Sequence, residues 1–299
     1  MMNKIDLHMH TTFSDGTDRP EELIANVRKA GIDLFSITDH DSIRAGIAVP
    51  PMIEAAGTGR SPAFIRGIEF SCKDEKGKYH ILGYGYDPDV PGIRDVVDTG
   101  HALRMKKTEG RLQFLEEKFG FTFPEEEIRK LLSRDNPGKP HIALMMVEAG
   151  YAADMNEAIT RYIDKKKFET VYVRPEKAIR GILKSGGIPV LAHPACGDGK
   201  DQILGKEMDQ RLRHLMDFGL TGVEGYYSGF SPAIRDEILA FAEKYDLYVT
   251  AGSDYHGRNR KTELGRTNLD DMSEAPAGLM RFLRDADVIG PGGSSQWLL

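Results

Sequence analysis

Histidines and carboxylates at short, recurring spacings are the residues of this chain best suited to chemistry. His8-Met9-His10 sets imidazoles at positions i and i+2, which an extended backbone sends to one side, so both can reach one metal ion. Ser253-Asp254-Tyr255-His256 repeats the spacing with a carboxylate and an imidazole. Between these pairs stand Asp15 in Ser14-Asp15-Gly16, His40 in Thr38-Asp39-His40-Asp41 and Glu69 in Gly67-Ile68-Glu69-Phe70. His80 heads an apolar run, and His193 follows Pro189-Val190-Leu191-Ala192. Each has a bland reading alone: an Asp-Gly turn for Asp15, a helix cap for Asp39 or Asp41, a solvent-facing carboxylate for Glu69. A chance origin is plausible for any one of them and implausible for the set. Nitrogen and oxygen donors without thiolate suit Mn, Fe or Zn rather than copper or an iron–sulfur cluster. Divalent cations held by such donors can activate water and polarise an oxygen bound beside it.

Strands and helices must carry these residues to one place. Short apolar runs alternate with segments of helical period, the pattern of successive βα units around a mainly parallel sheet. Strands are expected at 5–8, 34–38, 63–70, 79–84, 170–173, 188–192, 222–225 and 248–251. Most candidate ligands then stand at C-terminal strand ends, where α/β barrels assemble their sites. A helix is expected over Glu21–Ala30, with Pro20 before it, glutamates in its first turn and Gly31 as its stop. Helices at 176–184, 208–218 and 232–245 repeat the arrangement. From 91 to 169 only helical patterns occur (93–119, 125–132, 142–148, 156–164), so this stretch reads as an insertion. The expected organisation is a discontinuous barrel domain, 1–90 with 170–289, the helical insertion 91–169, and a tail 290–299.

The 299 residues are 40% hydrophobic and 29% charged, enough for one sizeable core. A formal charge of −6 argues against stable, sequence-independent nucleic-acid binding and leaves room for a local pocket that takes a small anion. No span is apolar enough to cross a membrane, and the N-terminal residues lack the apolar stretch of a signal peptide. Cys72 and Cys196 read as reduced thiols. A cytoplasmic protein is the expectation; the sequence leaves its oligomeric state open.

At this point the chain resembles a family. His8-x-His10, Ser14-Asp15-Gly16, Thr38-Asp39-His40, Gly67-x-Glu69, His80, Ala192-His193-Pro194 and Ser253-Asp254-x-His256 are similar to the successive motifs of the PHP (polymerase and histidinol phosphatase) phosphoesterases, within the amidohydrolase superfamily. The resemblance spans almost the whole chain and is closest to the bacterial branch with the nucleoside 3',5'-bisphosphate phosphatases. It implies an α/β fold, a distorted (β/α)7 TIM-like barrel with a helical insertion domain. It also implies His8, His10 and Asp254 on one metal, Glu69 bridging to a second held by His80 and His193, and Asp15, His40 and His256 on a third. Some relatives carry histidine where Asp15 stands. Manganese is the first choice of metal, with Fe or Zn as alternatives. Glu69, His193, Asp254 and His256 are the residues expected nearest the chemistry, Asp39 a residue that orients a ligand.

The resemblance also directs the substrate to the insertion, where Arg134, Lys139 and His141 offer a phosphate seat before a helix. Arg174, Tyr226 and Ser228 are further substrate-binding candidates, with Tyr227 and Phe230 beside them as aromatics that could stack. Arg258, Arg260 and Lys261 read as rim charges, His101 and His214 as surface or packing residues. The expected activity is hydrolysis of a small phosphorylated metabolite, a nucleoside 3',5'-bisphosphate or monophosphate. Three alternatives stand beside it. Gly138-Lys139-Pro140-His141 departs from the bisphosphatase pattern, which motivates a cyclic phosphate phosphodiesterase. A 5'-3' exonuclease on short RNA and a non-catalytic metal-binding scaffold complete the set.

Overall fold

The computed structural model describes residues 2–56, 61–134, 137–168, 172–196 and 202–291. In chain order the elements are β1 (Ile5–Asp6), α1 (Pro20–Lys29), β2 (Leu34–Ile37), α2 (Arg44–Glu54), β3 (Ala63–Asp74), β4 (Gly77–Tyr84), α3 (Pro91–Phe119), α4 (Glu125–Leu132), α5 (Lys139–Glu148), α6 (Met155–Glu157), α7 (Pro175–Lys184), β5 (Ile188–Leu191), α8 (Gly205–Met216), β6 (Gly222–Tyr227), α9 (Pro232–Lys244), β7 (Tyr248–Gly252), α10 (Ala277–Asp285) and β8 (Val288–Ile289). The chain divides into two compact units, Met1–Val97 with Val173–Leu299, and Asp98–Tyr172.

In the first unit the strands pair in the order β1-β2-β3-β4-β5-β6-β7, with β8 added to β3. β1 and β7 nearly close this into a barrel: Leu7 N–H donates to Ala251 O at 2.9 Å and Asp254 N–H to His8 O at 2.8 Å. Most pairs are parallel, but β4 runs antiparallel to both β3 and β5. The cause is local, since Glu75 and Lys76 join β3 to β4 in a hairpin and a hairpin pairs only antiparallel. This reversal has a consequence for the rim. Ligands follow the C-terminal ends of β1, β2, β5 and β7, whereas β3 and β4 deliver Glu69 and His80 from mid-strand, His80 opposite Ser71.

Helix α1 forms where its sequence signals place it: Glu22 accepts from the Arg19 N–H at 2.9 Å, Pro20 opens the first turn, and Gly31 beyond the end takes φ of +66°. Helix α2 is a departure from expectation, because Pro50 and Pro51 lie inside it. Its buried face, Ala45, Val49 and Ile53, packs with Leu23, Val27, Phe35, Ile37 and Phe64, and that burial outweighs the hydrogen bond and steric freedom that proline removes. Truncating a residue such as Phe64 to alanine costs about 3–5 kcal/mol. α10, whose buried Leu279, Phe282 and Leu283 follow the i, i+3, i+4 spacing of an amphipathic helix, and the two-residue β8 lie outside the expected elements. Of the strand expected at 170–173, residues 170 and 171 lie outside the described residues, and Val173 makes an isolated bridge to Cys72.

The second unit is helical, with its own core of Leu115, Leu131, Ile142, Met146 and Ile163, and Phe121 stacked on Tyr151 at 4.3 Å. The boundary falls within α3 rather than at residue 90, because Ile93 N–H donates to Ser185 Oγ at 2.9 Å and so ties the first turn to α7. No helix among the described residues is long and apolar enough to cross a membrane.

Candidate metal centre

Beyond β1 the chain stays extended, held by bonds from Thr38 N–H to Met9 O and from His10 N–H to Tyr255 O, each 2.8 Å. Alternation sends Met9 into the apolar cluster with Leu23 and Phe35 and turns His8 and His10 together toward Glu69. Glu69 is the hub. Its Oε2 lies 3.4 Å from His8 Nε2, 3.2 Å from His10 Nε2 and 3.1 Å from His40 Nδ1. Its Oε1 lies 2.8 Å from His80 Nδ1 and 3.3 Å from His193 Nε2. Asp254 Oδ1 approaches His8 and His10 at 3.5 and 3.3 Å, and Asp15 Oδ1 approaches His256 Nε2 at 3.3 Å. All the ligands nominated from sequence therefore meet in one basin.

The basin fits cations because its inner atoms lack other partners. His8 Nε2, His10 Nε2, His40 Nδ1, His256 Nε2 and Glu69 Oε2 are buried and make no hydrogen bond. Leaving one such atom unpaired costs about 1–3 kcal/mol, so a convergent group of them marks a place where something else binds. Donor atoms lie within 4.8 Å of one another in each of the sets His10/Asp15/His40/His256, His8/His10/Glu69 and His40/Glu69/His80. His10 and His40 each belong to more than one set, so the three sites drawn from the resemblance share ligands more than that assignment implied. Both His193 and Asp254 adopt positive φ, +27° and +59°, an unfavourable backbone for residues with a Cβ, kept where the surroundings enforce it.

Charge decides which groups hold protons. Burial alone would raise the Glu69 carboxyl, but His40, His80 and His8 hold it well below its usual range. Asp15 is held low against burial by His40 and His256, and Asp254 by His8, His10 and Arg260. Burial opposes charge on His8, yet Glu224, Glu69 and Asp254 raise it well above an ordinary imidazole. His10 is raised to about 9 and His193 to about 10 in the same way, burial being outweighed by neighbouring acceptors and carboxylates. His40 and His256 go down, through burial and then through the charge on His10. The carboxylates are ionised and part of the imidazole set holds protons that a cation would displace.

Other residues hold these in place. Asp39 does orient the site, through a loop rather than through an imidazole: it accepts from Thr11 N–H at 2.7 Å, Thr11 Oγ1 at 2.6 Å and Ser14 Oγ at 2.6 Å, and so fixes the turn carrying Asp15. Glu224, on β6, was missed from sequence. It accepts from His8 Nδ1 at 2.9 Å and from His193 N–H at 2.7 Å, and the available signal was a glutamate in the middle of an apolar strand. Tyr226 needs correction: the bulge between Glu224 and Tyr226 breaks alternation, so Tyr226 lies near Arg235 and Asp236 of α9. Tyr227 takes the inward place and donates to Asp254 Oδ2 at 3.1 Å, where Arg260 also binds.

Ser228 Oγ donates to Ser253 O at 2.8 Å, and Arg174 pairs with Glu75 at 3.1 Å. In the helical unit Lys139 pairs with Asp164 at 2.6 Å, while Arg134 and His141 line a cleft of about 170 Å³ with Lys130 and Leu144. Asp135, Asn136 and Trp297 lie outside the described residues.

The PHP domain matches residues 6–175. The chain belongs to the PHP domain family. It is 31% identical over 269 residues to the 5'-3' exoribonuclease Rnm of Salmonella typhimurium, covering 87% of this chain and 88% of that one. It is 29% identical over 270 residues to a 3',5'-nucleoside bisphosphate phosphatase of Chromobacterium violaceum, covering 85% and 88%. A crystal structure from Bifidobacterium adolescentis, provisionally described as a metal-dependent phosphoesterase, superposes with a TM-score of 0.75 at 27% identity over 94% of this chain and 96% of that one. This PHP protein is accordingly a metal-dependent phosphoesterase, a phosphoric ester hydrolase built on a TIM-like barrel.

Proposed function

We propose that this PHP phosphoesterase hydrolyses a phosphate ester of a small nucleotide, with a nucleoside 3',5'-bisphosphate or a monophosphate as substrate. The observation that carries the reading is the convergence of buried, unpaired donor atoms on Glu69. Two or three divalent ions, manganese first and iron or zinc as alternatives, would supply Lewis acidity to phosphoryl and leaving oxygens and to water there. His8, His10 and Asp254 would hold one, Glu69, His80 and His193 another, and Asp15, His40 and His256 the third, the resemblance giving this division.

The chain's own part is positional. Asp254 presents Oδ1 to the imidazoles because Tyr227 and Arg260 occupy Oδ2. His80 and His193 keep exposed edges, 35% and 16% of their side chains, in a basin where His8, His10 and Glu69 are closed to solvent, so these two imidazoles line the side from which a substrate reaches it. In this reading Arg134, Lys139, His141 and Arg174 attract the substrate's anionic groups, with Asp164 and Glu75 exchanged for phosphate at Lys139 and Arg174.

A panel of nucleoside 3',5'-bisphosphates, monophosphates and sugar phosphates with metal-loaded protein should release inorganic phosphate, fastest from the nucleotides. Silence across the panel at full metal occupancy sinks the reading. The second reading is 5'-3' trimming of short RNA, favoured by the likeness to an exoribonuclease across 87% of the chain. Faster release from 5'-phosphorylated oligoribonucleotides than from mononucleotides selects it. Ring opening of a cyclic phosphate would instead identify a phosphodiesterase.

A further inference from the structure

We propose that Glu224 is a positioning residue that couples the two halves of the metal basin, fixing the tautomer of His8 and the backbone of His193 with one carboxylate. The proposal rests on the metal-binding reading above.

Glu224 is fully buried and spends each oxygen on a different half. Oε1 faces His8 Nδ1 at 2.9 Å and Oε2 faces the His193 backbone N–H at 2.7 Å. A carboxylate only accepts, so in its neutral, metal-binding form His8 carries its one proton on Nδ1 and presents the Nε2 lone pair. That Nε2 is the atom left without a hydrogen bond, 3.4 Å from Glu69 Oε2 and 3.5 Å from Asp254 Oδ1. At the other oxygen, the bond to the His193 N–H holds a residue whose φ is +27°, and the side chain of that residue reaches Glu69 Oε1.

The surrounding backbone is shaped to admit this carboxylate. A Cβ on Gly252 would lie 2.5 Å from Glu224 Oε1 and 2.2 Å from His8 Cβ, so only glycine leaves room on β7 for the pair. The bulge in β6 begins at Glu224, which lets Tyr227, three residues on, serve the Asp254 side. A hydrogen-bonded carboxylate behind a ligating imidazole is worth about 10–100-fold in metal affinity.

Glutamine separates positioning from packing because it is nearly isosteric but has one acceptor. In Glu224→Gln an NH2 must face either the His193 N–H, a donor against a donor, or His8 Nδ1, which forces the proton onto Nε2 and removes the lone pair. Mn²⁺ affinity, measured by titration without substrate, should fall about 10–100-fold, while the metal-free protein melts close to wild type. The loss should be less than additive with that of His8→Ala, because Glu224 acts through that imidazole. Glu224→Asp, one methylene shorter, should lose affinity as well. Affinity within twofold of wild type, or a fully additive loss, overturns the proposal. So does a metal-free melting temperature that collapses in both variants, which would make Glu224 purely structural. Because the readout is ion binding, a wrong choice of substrate leaves this test intact.

Discussion

The metal basin and the outer face of the β3–β4 hairpin both set histidine against carboxylate, and they end in opposite states. At the hairpin, His214 Nε2 lies 2.7 Å from Asp74 Oδ2 and Nδ1 lies 3.0 Å from Lys76 Nζ, so both ring nitrogens have partners. His214 and Lys76 line a cleft of about 790 Å³ with Arg211, Arg213, Glu207 and Asp217, and His214 packs on Phe218 at 4.8 Å. In the basin the facing atoms of His8, His10, His40, His256 and Glu69 have no hydrogen bond. The difference shows that residue type does not make a metal site; unmet valence among buried donors does.

Removing the hub should break the contrast most severely. Glu69→Gln leaves buried imidazoles without their shared charge, and phosphate release should fall by at least about 10³-fold, with bound metal lost in parallel. His214→Gln should keep both, and an inactive, metal-free His214→Gln protein would erase the distinction. The pH dependence comes next. In the metal-free basin His10 sits at about 9 and His193 at about 10, above the ordinary 6.5. Their contribution to stability is therefore complete below about 6.5 and lost as pH rises through about 9 to 10. The ions need neutral imidazoles, so affinity should rise over that window, roughly tenfold per pH unit for each proton displaced. Calorimetry in buffers of different ionisation enthalpy should record the released protons, and a flat affinity profile would contradict the assignment.

Metal loading should then stabilise the fold by about 2.7 kcal/mol at 100-fold excess over the dissociation constant, read as a higher melting temperature that chelation reverses. Asp74→Asn should leave that metal-dependent shift unchanged. The smallest effect belongs to the hairpin. His214→Gln should cost about 1 kcal/mol of stability in denaturant unfolding, the worth of a net hydrogen bond, with no change in metal affinity. A larger loss of affinity than of stability would mean that the two faces communicate.

Much of this was legible locally. Spacing alone drew His8 with His10 and Asp254 with His256, and the helical pattern at 125–132 coincides with α4. What sequence left out shares a cause. Helix α2 exists despite Pro50 and Pro51 because its other face is buried; Tyr227 replaces Tyr226 because a bulge forms against β7; Glu224 meets His8 from 216 residues away. Each depends on a partner distant in the chain.

The sequence by itself determined which residues can hold metal, the βα alternation that carries them to strand ends, and the family. Only the tertiary structure decided that β4 runs antiparallel and carries His80 in its middle, that the inner atoms of the imidazoles face Glu69 without a hydrogen bond, and that Glu224 stands behind His8. The reason is physical. Donor chemistry and short-range periodicity are properties of neighbouring residues, whereas convergence and unmet valence arise when barrel closure removes those donors from water and from every other partner.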